Sequence, residues 1–530
     1  MRKKFISLVT ALVIVLSALA GAGCGGKGKP TVDPIDDNYR VFYQVFVGSY
    51  SDSNNDGIGD LRGLINRLDY LNDGDINSGD DLGVQGIWLS PVFTSPTYHK
   101  YDAADYYNVD RTFGTNADLE ELIEKCHQRN VKVILDLVVN HTSTNHEWFK
   151  KFASARQKSE SGNKYYDYYT CRTSADKEPG KTYAKVPGCS DFYYECNFDS
   201  AMPELNFDSE DVKAEILNVA KFWMDKGVDG FRFDAVKYIY YYDSESSINF
   251  WKWFMDELRK INPDVYTVGE CWSGTPEIVE YYDAINCFNF QMSQAEGVIA
   301  MAAKSDNINN FTNNVTYFLN KIEGTNQSPM FMPFISNHDM DRSAGYLMLS
   351  TRFAYMGANL LLLCSGSPFI YYGEEIGMKG TRGAAMTDAN RRLAMLWGDG
   401  DTVKDPIGAT FEAKKQTNGT VKTHLADENS LFHHYKKLIE VRNRHPEIAR
   451  GKYTALSFND FNVGGFVVTY EGSTIGIIHN NHRVNPITVD LKCGSVVTNF
   501  TTVADYVGQT EATLDGTLLT IGPQSSVILR

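Results

Sequence analysis

The feature that most constrains the fold of this 530-residue chain is a series of short apolar runs separated by helix-sized segments. The runs lack the strict polar alternation of strands with one wet face, so the pattern predicts strands buried on both faces. Eight such strands, each followed by a helix, predict a closed parallel (β/α)8 TIM barrel with functional side chains at the carboxyl ends of the strands. The runs are residues 41–50, 86–91, 131–140, 228–236, 265–271, 284–290, 331–336 and 368–372.

Two stretches depart from this alternation. More chain than one helix requires lies between the third and fourth runs, and its Tyr-, Lys- and Gly-rich composition predicts a small domain inserted at residues 141–205. The barrel would then comprise residues 39–140 and 206–446, with its last helix at 431–444. Short Val-, Thr- and Ile-rich runs farther on predict a C-terminal antiparallel β-sandwich over residues 447–530.

Residues 1–23 have the composition of a secretory signal peptide. Basic residues at positions 2–4 precede an apolar run, and small residues precede Cys24. Residues 19–24 resemble a bacterial lipoprotein cleavage box, which implies a lipid on Cys24 and attachment to the extracellular face of a bacterial cell membrane. Plain secretion is the alternative. Residues 24–38 are rich in Gly, Lys, Pro and Asp, as is typical of a flexible tether.

Charge and composition favour a neutral partner. The formal net charge is −15, and it becomes −18 once the three basic residues of the signal are removed. Such a surface repels nucleic acid and anionic lipid, so we expect no nucleic-acid partner. Aromatic residues make up 13% of the chain, including 31 Tyr, and flat rings with polar edges suit carbohydrate surfaces.

Polar residues cluster where the predicted strands end. In the fourth run Arg232 and Asp234 alternate with apolar residues, which places both on one strand face. A neighbouring arginine favours an ionised carboxylate, as a nucleophile requires, although this motif alone also fits a structural ion pair. Barrel strands end at one shared rim, so we expect these groups to meet. The strand ends supply Asp136, Asn140, His141, Arg232, Asp234, Glu270, His338 and Asp339.

These motifs resemble those of the α-amylase superfamily, glycoside hydrolase family 13, from about residue 39 to residue 530. The resemblance implies that Asp234 is the nucleophile, Glu270 the general acid/base and Asp339 the carboxylate that stabilises the transition state. It rests on residues 136–141, 230–237, 269–272 and 335–339, and on secondary motifs at 86–91, 202–206 and 366–375.

The chemistry of glycoside cleavage agrees with these roles. The reaction needs one ionised and one protonated carboxyl group, and a third negative charge supports the oxocarbenium ion and raises the pKa of the acid. We expect Arg232 to select which carboxyl group stays ionised.

The resemblance also implies sugar contacts. Tyr101 would stack beneath the reacting sugar, and Asp102 and Arg392 resemble a pair that closes the same subsite. The implied substrate-binding residues are Tyr101, Asp102, His141, Arg232, Lys237, His338 and Arg392.

Residues 52–60 place oxygen donors at alternate positions around glycines, as a hard cation prefers. Gly63 stands at the twelfth position, where an EF-hand has glutamate, so a different kind of Ca²⁺ loop is expected, similar to the family's loop after the first strand. A cluster of Asx turns without metal is the alternative. The expected calcium ligands are Asp52, Asn54, Asp56, Ile58 and Asp60.

A second calcium site would involve Asn140 and the inserted domain. Tyr238 stands where much of the family has histidine, a departure that bears on this second site and on the leaving-side sugar contacts.

The function that these features favour is a retaining α-amylase that cleaves α-1,4 bonds of starch and maltooligosaccharides. Glu204 stands where the family usually has aspartate, as in branches between oligo-1,6-glucosidases and neopullulanases. A neopullulanase- or cyclomaltodextrinase-like hydrolase, or a 4-α-glucanotransferase, is therefore the alternative. A sugar-binding protein without catalysis is disfavoured because Asp234, Glu270 and Asp339 are intact.

Overall fold

The computed structural model describes residues 35–77, 81–348, 351–411 and 418–530. The expected signal, Cys24 and most of the expected tether lie outside these residues. Of the helices in the described ranges, none has the length and apolar character needed to cross a membrane.

The strands of the described residues form five sheets. They are β1 (Phe42–Val45), β2 (Gly86–Leu89), β3 (Phe93–Thr94), β4 (Asp105–Val109), β5 (Lys132–Leu137), β6 (Cys171–Arg172), β7 (Tyr183–Lys185), β8 (Tyr193–Glu195), β9 (Gly230–Phe233), β10 (Tyr266–Gly269), β11 (Phe369–Tyr371), β12 (Lys452–Ser457), β13 (Val463–Tyr470), β14 (Ser473–Asn480), β15 (Ile487–Asp490), β16 (Val503–Val507), β17 (Thr513–Asp515), β18 (Leu518–Ile521) and β19 (Ser525–Leu529).

The α-helices of the described residues are concentrated between the first and last barrel strands. They are Leu61–Asn66, Leu68–Leu71, Asn116–His127, Glu147–Gln157, Glu210–Asp225, Ser244–Ile261, Thr275–Tyr281, Val298–Lys304, Asn309–Ile322, Ala344–Leu347, Thr351–Leu362, Val421–Leu425, Leu431–Arg444 and Pro446–Arg450.

Six parallel strands form most of the barrel wall, in the order β10-β9-β5-β2-β1-β11. The sixth and seventh predicted runs close the wall through isolated parallel bridges instead of full ladders. These bridges join Gly269 to Cys287, Phe288 to Met332, and Phe334 to Phe369. The predicted eight-stranded barrel is confirmed as a fold, with two of its eight segments reduced to single-bridge contacts.

Aromatic side chains fill the end of the barrel opposite the strand ends that carry the polar groups. The ring of Phe42 lies 4.4 Å from that of Tyr266 and 5.1 Å from that of Phe369, measured between centroids. Gly86 pairs with Phe42 on the neighbouring strand. A Cβ atom on Gly86 would lie 2.4 Å from the Phe42 ring, so only glycine leaves room for this aromatic filling.

The segment between β5 and β9 forms a small unit beside the rim. It contains helix Glu147–Gln157 and a three-stranded antiparallel sheet in the order β6-β8-β7. The backbone N–H of Leu205 donates to the carbonyl of Asn140 at 2.9 Å, and His141 forms an antiparallel bridge with Glu204. The segment is therefore fixed to the chain that immediately follows β5.

Two antiparallel sheets form the C-terminal part. One has the order β12-β13-β14-β19-β16 and the other β15-β18-β17. Side chains of both sheets share one apolar core, as expected for a sandwich. Its members include Leu456, Ile478, Leu519, Ile521 and Leu529.

Candidate active site

Arg232 on β9 is the centre of the polar rim. Its side chain is fully buried, and Nη1 donates to Asp136 at 2.8 Å and to Asp234 at 2.6 Å. Its Nη2 lies 3.1 Å from Oε1 of Glu270, which follows β10. One guanidinium thus holds carboxyl groups from three neighbouring strand ends.

The backbone after Asp234 has an unusual conformation that serves the site. Ala235 lies in the left-handed region with φ +50°, which is uncommon for a residue with a side chain. In this conformation its N–H donates to Oε2 of Glu270 at 3.1 Å, and the N–H of Val236 donates to the Glu270 carbonyl at 3.1 Å. The turn after Asp234 therefore fixes Glu270 from both its side chain and its backbone.

Arg232 contacts the carboxyl groups of both Asp234 and Glu270, and its contact with Asp234 is the shorter of the two. Burial raises the pKa of Glu270 to about 7, with further increases from Asp234 and Asp339, against the opposing charge of Arg232. Burial also raises the pKa of Asp234, and here the hydrogen bond and charge of Arg232 oppose it. Arg232 Nη1 lies 2.6 Å from Oδ1 of Asp234, whereas Arg232 Nη2 lies 3.1 Å from Oε1 of Glu270. The shorter contact with the guanidinium favours the ionised form at Asp234.

A count of charges explains why a proton remains in the site. Two guanidinium groups, from Arg232 and Arg392, face four carboxyl groups, so full ionisation would leave excess negative charge in a buried place. Burial raises the pKa of Asp136 to about 7, as it does for Glu270. The carboxyl groups are those of Asp136, Asp234, Glu270 and Asp339.

Asp339 is held in the ionised state. Its Oδ1 accepts a hydrogen bond from Nη2 of Arg392 at 2.7 Å, and its Oδ2 lies 2.8 Å from Nε2 of His338. Burial acts to raise the pKa of Asp339, but His338, Arg392 and Arg232 outweigh it and hold the pKa well below its usual range. Asp339 therefore presents a permanent negative charge beside the protonatable Glu270.

His338 is positioned as a neutral hydrogen-bond donor. Burial lowers its pKa, and Nε2 of Gln44 lies 2.8 Å from its Nδ1. Because the Gln44 amide donates to Nδ1, the ring proton resides on Nε2, which faces Asp339 and the Tyr101 hydroxyl. The Tyr101 ring stacks on His338 with centroids 5.2 Å apart and planes 3° from parallel. His338 then acts on Asp339 through its hydrogen bond, and Arg392 and Arg232 supply the formal positive charges.

His141 lies at the start of the inserted segment and is 1% exposed. Burial lowers its pKa to about 4, so the ring is neutral at neutral pH. Its Nε2 atom has no hydrogen-bond partner within the described chain. Since an unpaired buried polar atom is costly, this nitrogen is available to a hydroxyl group of a bound sugar.

Asp102 and Arg392 have separate partners among the described residues. Oδ1 of Asp102 accepts from the hydroxyls of Ser95, at 2.7 Å, and Thr97. Arg392 bonds Asp339 and reaches the Tyr98 hydroxyl at 3.1 Å. The expectation that these two residues close one subsite stays a prediction; in the structure Asp102 is held by hydroxyl groups and Arg392 by Asp339.

Lys237 links the ends of β9 and β10. Its Nζ atom donates to the carbonyl of Trp272 at 3.0 Å and to the Ser273 hydroxyl at 2.9 Å. The Trp272 side chain is 42% exposed and stacks on Phe290. Lys237 thereby braces the loop that carries Glu270 and leaves an indole face at the mouth of the site.

The loop at residues 52–60 is arranged as a hydrogen-bonded cluster. Asp52 accepts from the N–H groups of Asn54, Asn55 and Gly57 and from the Thr402 hydroxyl, at distances from 2.7 to 3.0 Å. These four bonds occupy the lone-pair positions of this carboxylate.

Its neighbours form Asx turns of the same kind. Asn54 accepts from the N–H of Asp56 at 2.9 Å, and Asp56 accepts from that of Ile58 at 2.8 Å. Asp60 caps helix Leu61–Asn66 by accepting from Gly63 at 2.6 Å. The side-chain oxygens therefore fold back on the local backbone.

In the described residues no group of three or more His, Cys, Asp or Glu side chains is placed to hold a metal ion. Asn54, Asp56 and the Ile58 carbonyl fit a hard cation by chemistry and spacing. Asp52 does not fit while its four hydrogen bonds persist. Asn140, expected at a second site, is buried, and its amide lies 3.4 Å from Nδ1 of His141.

Sequence reasoning missed three features of the site. Gln44 orients His338, Tyr98 supports Arg392, and the N–H of Ala235 binds Glu270. A signal existed only for Gln44, which is a polar residue inside an otherwise apolar strand. The other two depend on backbone and loop geometry that no spacing rule encodes.

Comparisons with known proteins agree with this geometry. The family described as alpha amylase, catalytic domain, matches residues 44–451. "Alpha-amylase 3" of Dictyoglomus thermophilum is 37% identical, covering 84% of this chain and 85% of that protein. An oligo-1,6-glucosidase of Bacillus cereus is 31% identical, covering 83% of this chain and 90% of its own length.

Solved structures give the same result. Eubacterium rectale Amy13B has 36% identity and a TM-score of 0.85, covering 95% of this chain and 97% of its own. An alpha-amylase from H. orenii has 32% identity and a TM-score of 0.81, and the match covers 93% of this chain and 99% of that chain. The chain therefore belongs to the α-amylase family of glycoside hydrolases.

Proposed function

We propose that this glycoside hydrolase cleaves α-1,4 bonds of starch and maltooligosaccharides with retention of configuration. Asp234 attacks the anomeric carbon, Glu270 protonates the leaving oxygen and then activates water, and Asp339 stabilises the positive charge of the transition state. Tyr101, His141, Arg232, His338 and Arg392 surround the reacting sugar, with Asp102 and Lys237 at the margins.

The observation that carries this proposal is the contrast between Glu270 and Asp339. The pKa of Glu270 is raised to about 7, which suits a group that must give up and regain a proton near neutral pH. The pKa of Asp339 is held far below its usual range by its cationic neighbours. One site thus combines a carboxyl group that can hold a proton near neutral pH with a neighbouring carboxylate that favours the ionised form, the combination that an acid/base and a charge stabiliser need.

NMR of the first products from maltopentaose tests the stereochemistry. A nucleophilic Asp234 yields α-anomers first, because two successive inversions restore the configuration. Initial β-anomers would show direct attack by water and would remove Asp234 from the role of nucleophile. The Asp234→Asn variant, purified in parallel, controls for contaminating hydrolases.

Cleavage of α-1,6 bonds, or transfer as in neopullulanase-like enzymes, is the second candidate. Its support is the similarity to an oligo-1,6-glucosidase and the presence of Glu204. Glu204 is buried and accepts from the N–H of Asn197 at 2.9 Å. Product chromatography on pullulan and isomaltose against maltopentaose distinguishes the candidates: an amylase releases product rapidly only from maltopentaose.

Calcium at residues 52–60 is a further part of the proposal. Its support is the series of oxygen donors at Asp52, Asn54, Asp56, Ile58 and Asp60, and it competes with the hydrogen bonds that Asp52 makes in the structure. A cation bound only to the folded protein raises stability by mass action. Metal analysis of the protein after dialysis against calcium tests this site. Protein without bound calcium would contradict the proposal.

Attachment to the outer face of a membrane through Cys24 completes the proposal. A diacylated cysteine gives firm attachment where a single chain does not. The Cys24→Ala variant should release active enzyme to the medium, as followed by activity in washed cells and supernatant. An unmodified N-terminus on soluble native enzyme would establish plain secretion instead.

A further inference from the structure

The segment that leads to His338 and Asp339 joins the barrel wall through single bridges, at Met332 and Phe334. A regular strand is fixed along its length by a ladder of backbone hydrogen bonds, and a single bridge supplies only part of that support. The residues between Phe334 and His338 therefore depend on other contacts for their position.

Ser336 is the point at which a buried side chain holds this segment. Its hydroxyl donates to Oε2 of Glu374 at 3.1 Å, and both residues are buried. Glu374 follows β11, and its Oε1 accepts from the hydroxyl of Tyr435, on helix Leu431–Arg444, at 3.0 Å. Glu374 thus joins the segment before His338 to a helix outside the barrel wall.

Glu374 is a buried acid that the proposed reaction does not use. Burial raises its pKa to about 8, against the lowering effect of the hydrogen bonds from Tyr435 and Ser336, and neighbouring Glu375 raises it further. The carboxyl group is therefore uncharged at neutral pH and acts on its neighbours through hydrogen bonds. Because a buried polar group is costly to leave unpaired, both hydroxyl contacts favour a single arrangement.

The next acid supports His338 from another strand. Oε1 of Glu375 accepts from the hydroxyls of Tyr43, at 2.8 Å, and Tyr70, at 2.7 Å. Tyr43 directly precedes Gln44 on β1, whose Nε2 lies 2.8 Å from Nδ1 of His338. Two consecutive acids after β11 therefore hold the two segments that carry or contact His338.

We propose that Glu374 is a positioning residue, which holds Ser336 and thereby sets the place of His338 and Asp339 at the reacting sugar. This inference rests on the proposed role of Asp339. Asp339 meets a full positive charge only in the transition state, so its displacement should lower kcat more than it raises KM. A misplacement of about 1 Å can cost roughly 10²-fold in rate, even when the mutation lies away from the reacting atoms.

The test breaks the same hydrogen bond from its two ends. Glu374→Ala and Ser336→Ala should each lower kcat on maltopentaose roughly 5- to 50-fold, while KM changes less than about 3-fold. The double variant should lose no more than the larger single loss, because the two ends of one contact are not independent. Glu374→Gln should keep most of kcat, since its amide matches the uncharged carboxyl group in size and can bond both hydroxyls.

Glu447→Ala is the matched control for the removal of a buried acid. Glu447 is 2% exposed on helix Pro446–Arg450 and accepts from the Ser473 hydroxyl of the C-terminal sheet at 2.6 Å. This variant should have a lower Tm and an unchanged kcat, because its contacts lie away from the segment before His338. A loss of kcat equal to that of Glu374→Ala would assign both losses to general destabilisation and overturn the proposal.

Ser336→Ala keeps the test decisive even where Glu374→Ala fails to fold, because it removes a single oxygen atom. An unchanged kcat in Ser336→Ala would overturn the proposal. Additive losses in the double variant, or a low kcat in Glu374→Gln, would overturn it as well. A wild-type enzyme without activity on maltopentaose would instead refute the proposed function, so the two failures are distinguishable.

Discussion

The rim of the barrel and the loop at residues 52–60 both gather acidic side chains, yet they satisfy them in opposite ways. On the rim, Asp234, Glu270 and Asp339 come from three strand ends and meet side-chain cations across the barrel. In the loop, Asp52 and Asp56 accept hydrogen bonds from backbone N–H groups a few residues along.

The protonation states follow this difference. Burial acts to raise the pKa of Asp52, but hydrogen bonds from Thr402 and the loop backbone outweigh it, and the pKa is lowered. On the rim, burial prevails over Arg232 and the pKa of Glu270 rises to about 7. Asp52, whose carboxylate accepts hydrogen bonds from the nearby backbone, therefore stabilises its loop in the ionised form. Glu270 lies on a rim where carboxyl groups outnumber guanidinium groups, so it can hold a proton and release it.

The largest expected effect is that of Asp234→Asn. It removes the proposed nucleophile while preserving size, so kcat on maltopentaose should fall at least about 10⁴-fold. Asp229→Asn is the matched control, because Asp229 directly precedes the same strand and accepts from the N–H of Val133 and from His127. Equal kcat values for Asp234→Asn and Asp229→Asn would show that Asp234 is no more important for turnover than an acid with a purely structural role.

Glu270→Gln should cost about 10²- to 10⁴-fold in kcat on maltopentaose and far less on an aryl maltoside, whose leaving group needs little protonation. The wild-type kcat/KM should fall as pH rises through about 7, because the raised pKa of Glu270 marks the loss of its proton. This alkaline limb should disappear in the variant. Its persistence would assign the limb to another group, with Asp136 the nearest candidate.

Asp339→Asn should lower kcat about 10²- to 10³-fold, the range seen when one electrostatic stabiliser of a transition state is removed. KM should change little, because the charge matters most once the oxocarbenium ion forms. Steady-state kinetics on maltopentaose measures kcat and KM separately and so checks both expectations. A rise in KM with unchanged kcat would make Asp339 a ground-state contact.

The smallest effects are expected at the loop. Asp52→Asn removes the charge that four donors satisfy and should destabilise the protein by about 1–2 kcal/mol without changing kcat. Differential scanning calorimetry measures the first quantity and an assay with saturating maltopentaose the second. Calcium should raise Tm in the wild type and less in the variant. A large loss of kcat would show that the loop acts on the rim.

Much of the fold could be predicted because the apolar runs that form its strands recur regularly along the sequence. The apolar runs at residues 86–91, 131–140 and 228–236 predicted β2, β5 and β9, since burial on both faces leaves a continuous hydrophobic signature. The sixth and seventh runs form single bridges instead of ladders. Their irregular pairing depends on the strands on each side, which local sequence does not encode.

The strand-end motifs of the sequence determined which acids belong to the rim, because a closed parallel barrel must bring its carboxyl ends together. Only the tertiary structure decided their electrostatics. Arg232 meets three carboxyl groups, Arg392 pairs with Asp339, and the left-handed Ala235 directs its N–H to Glu270. These outcomes depend on distances across the barrel and on burial. Such quantities arise from packing between distant segments, so no spacing along the chain contains them.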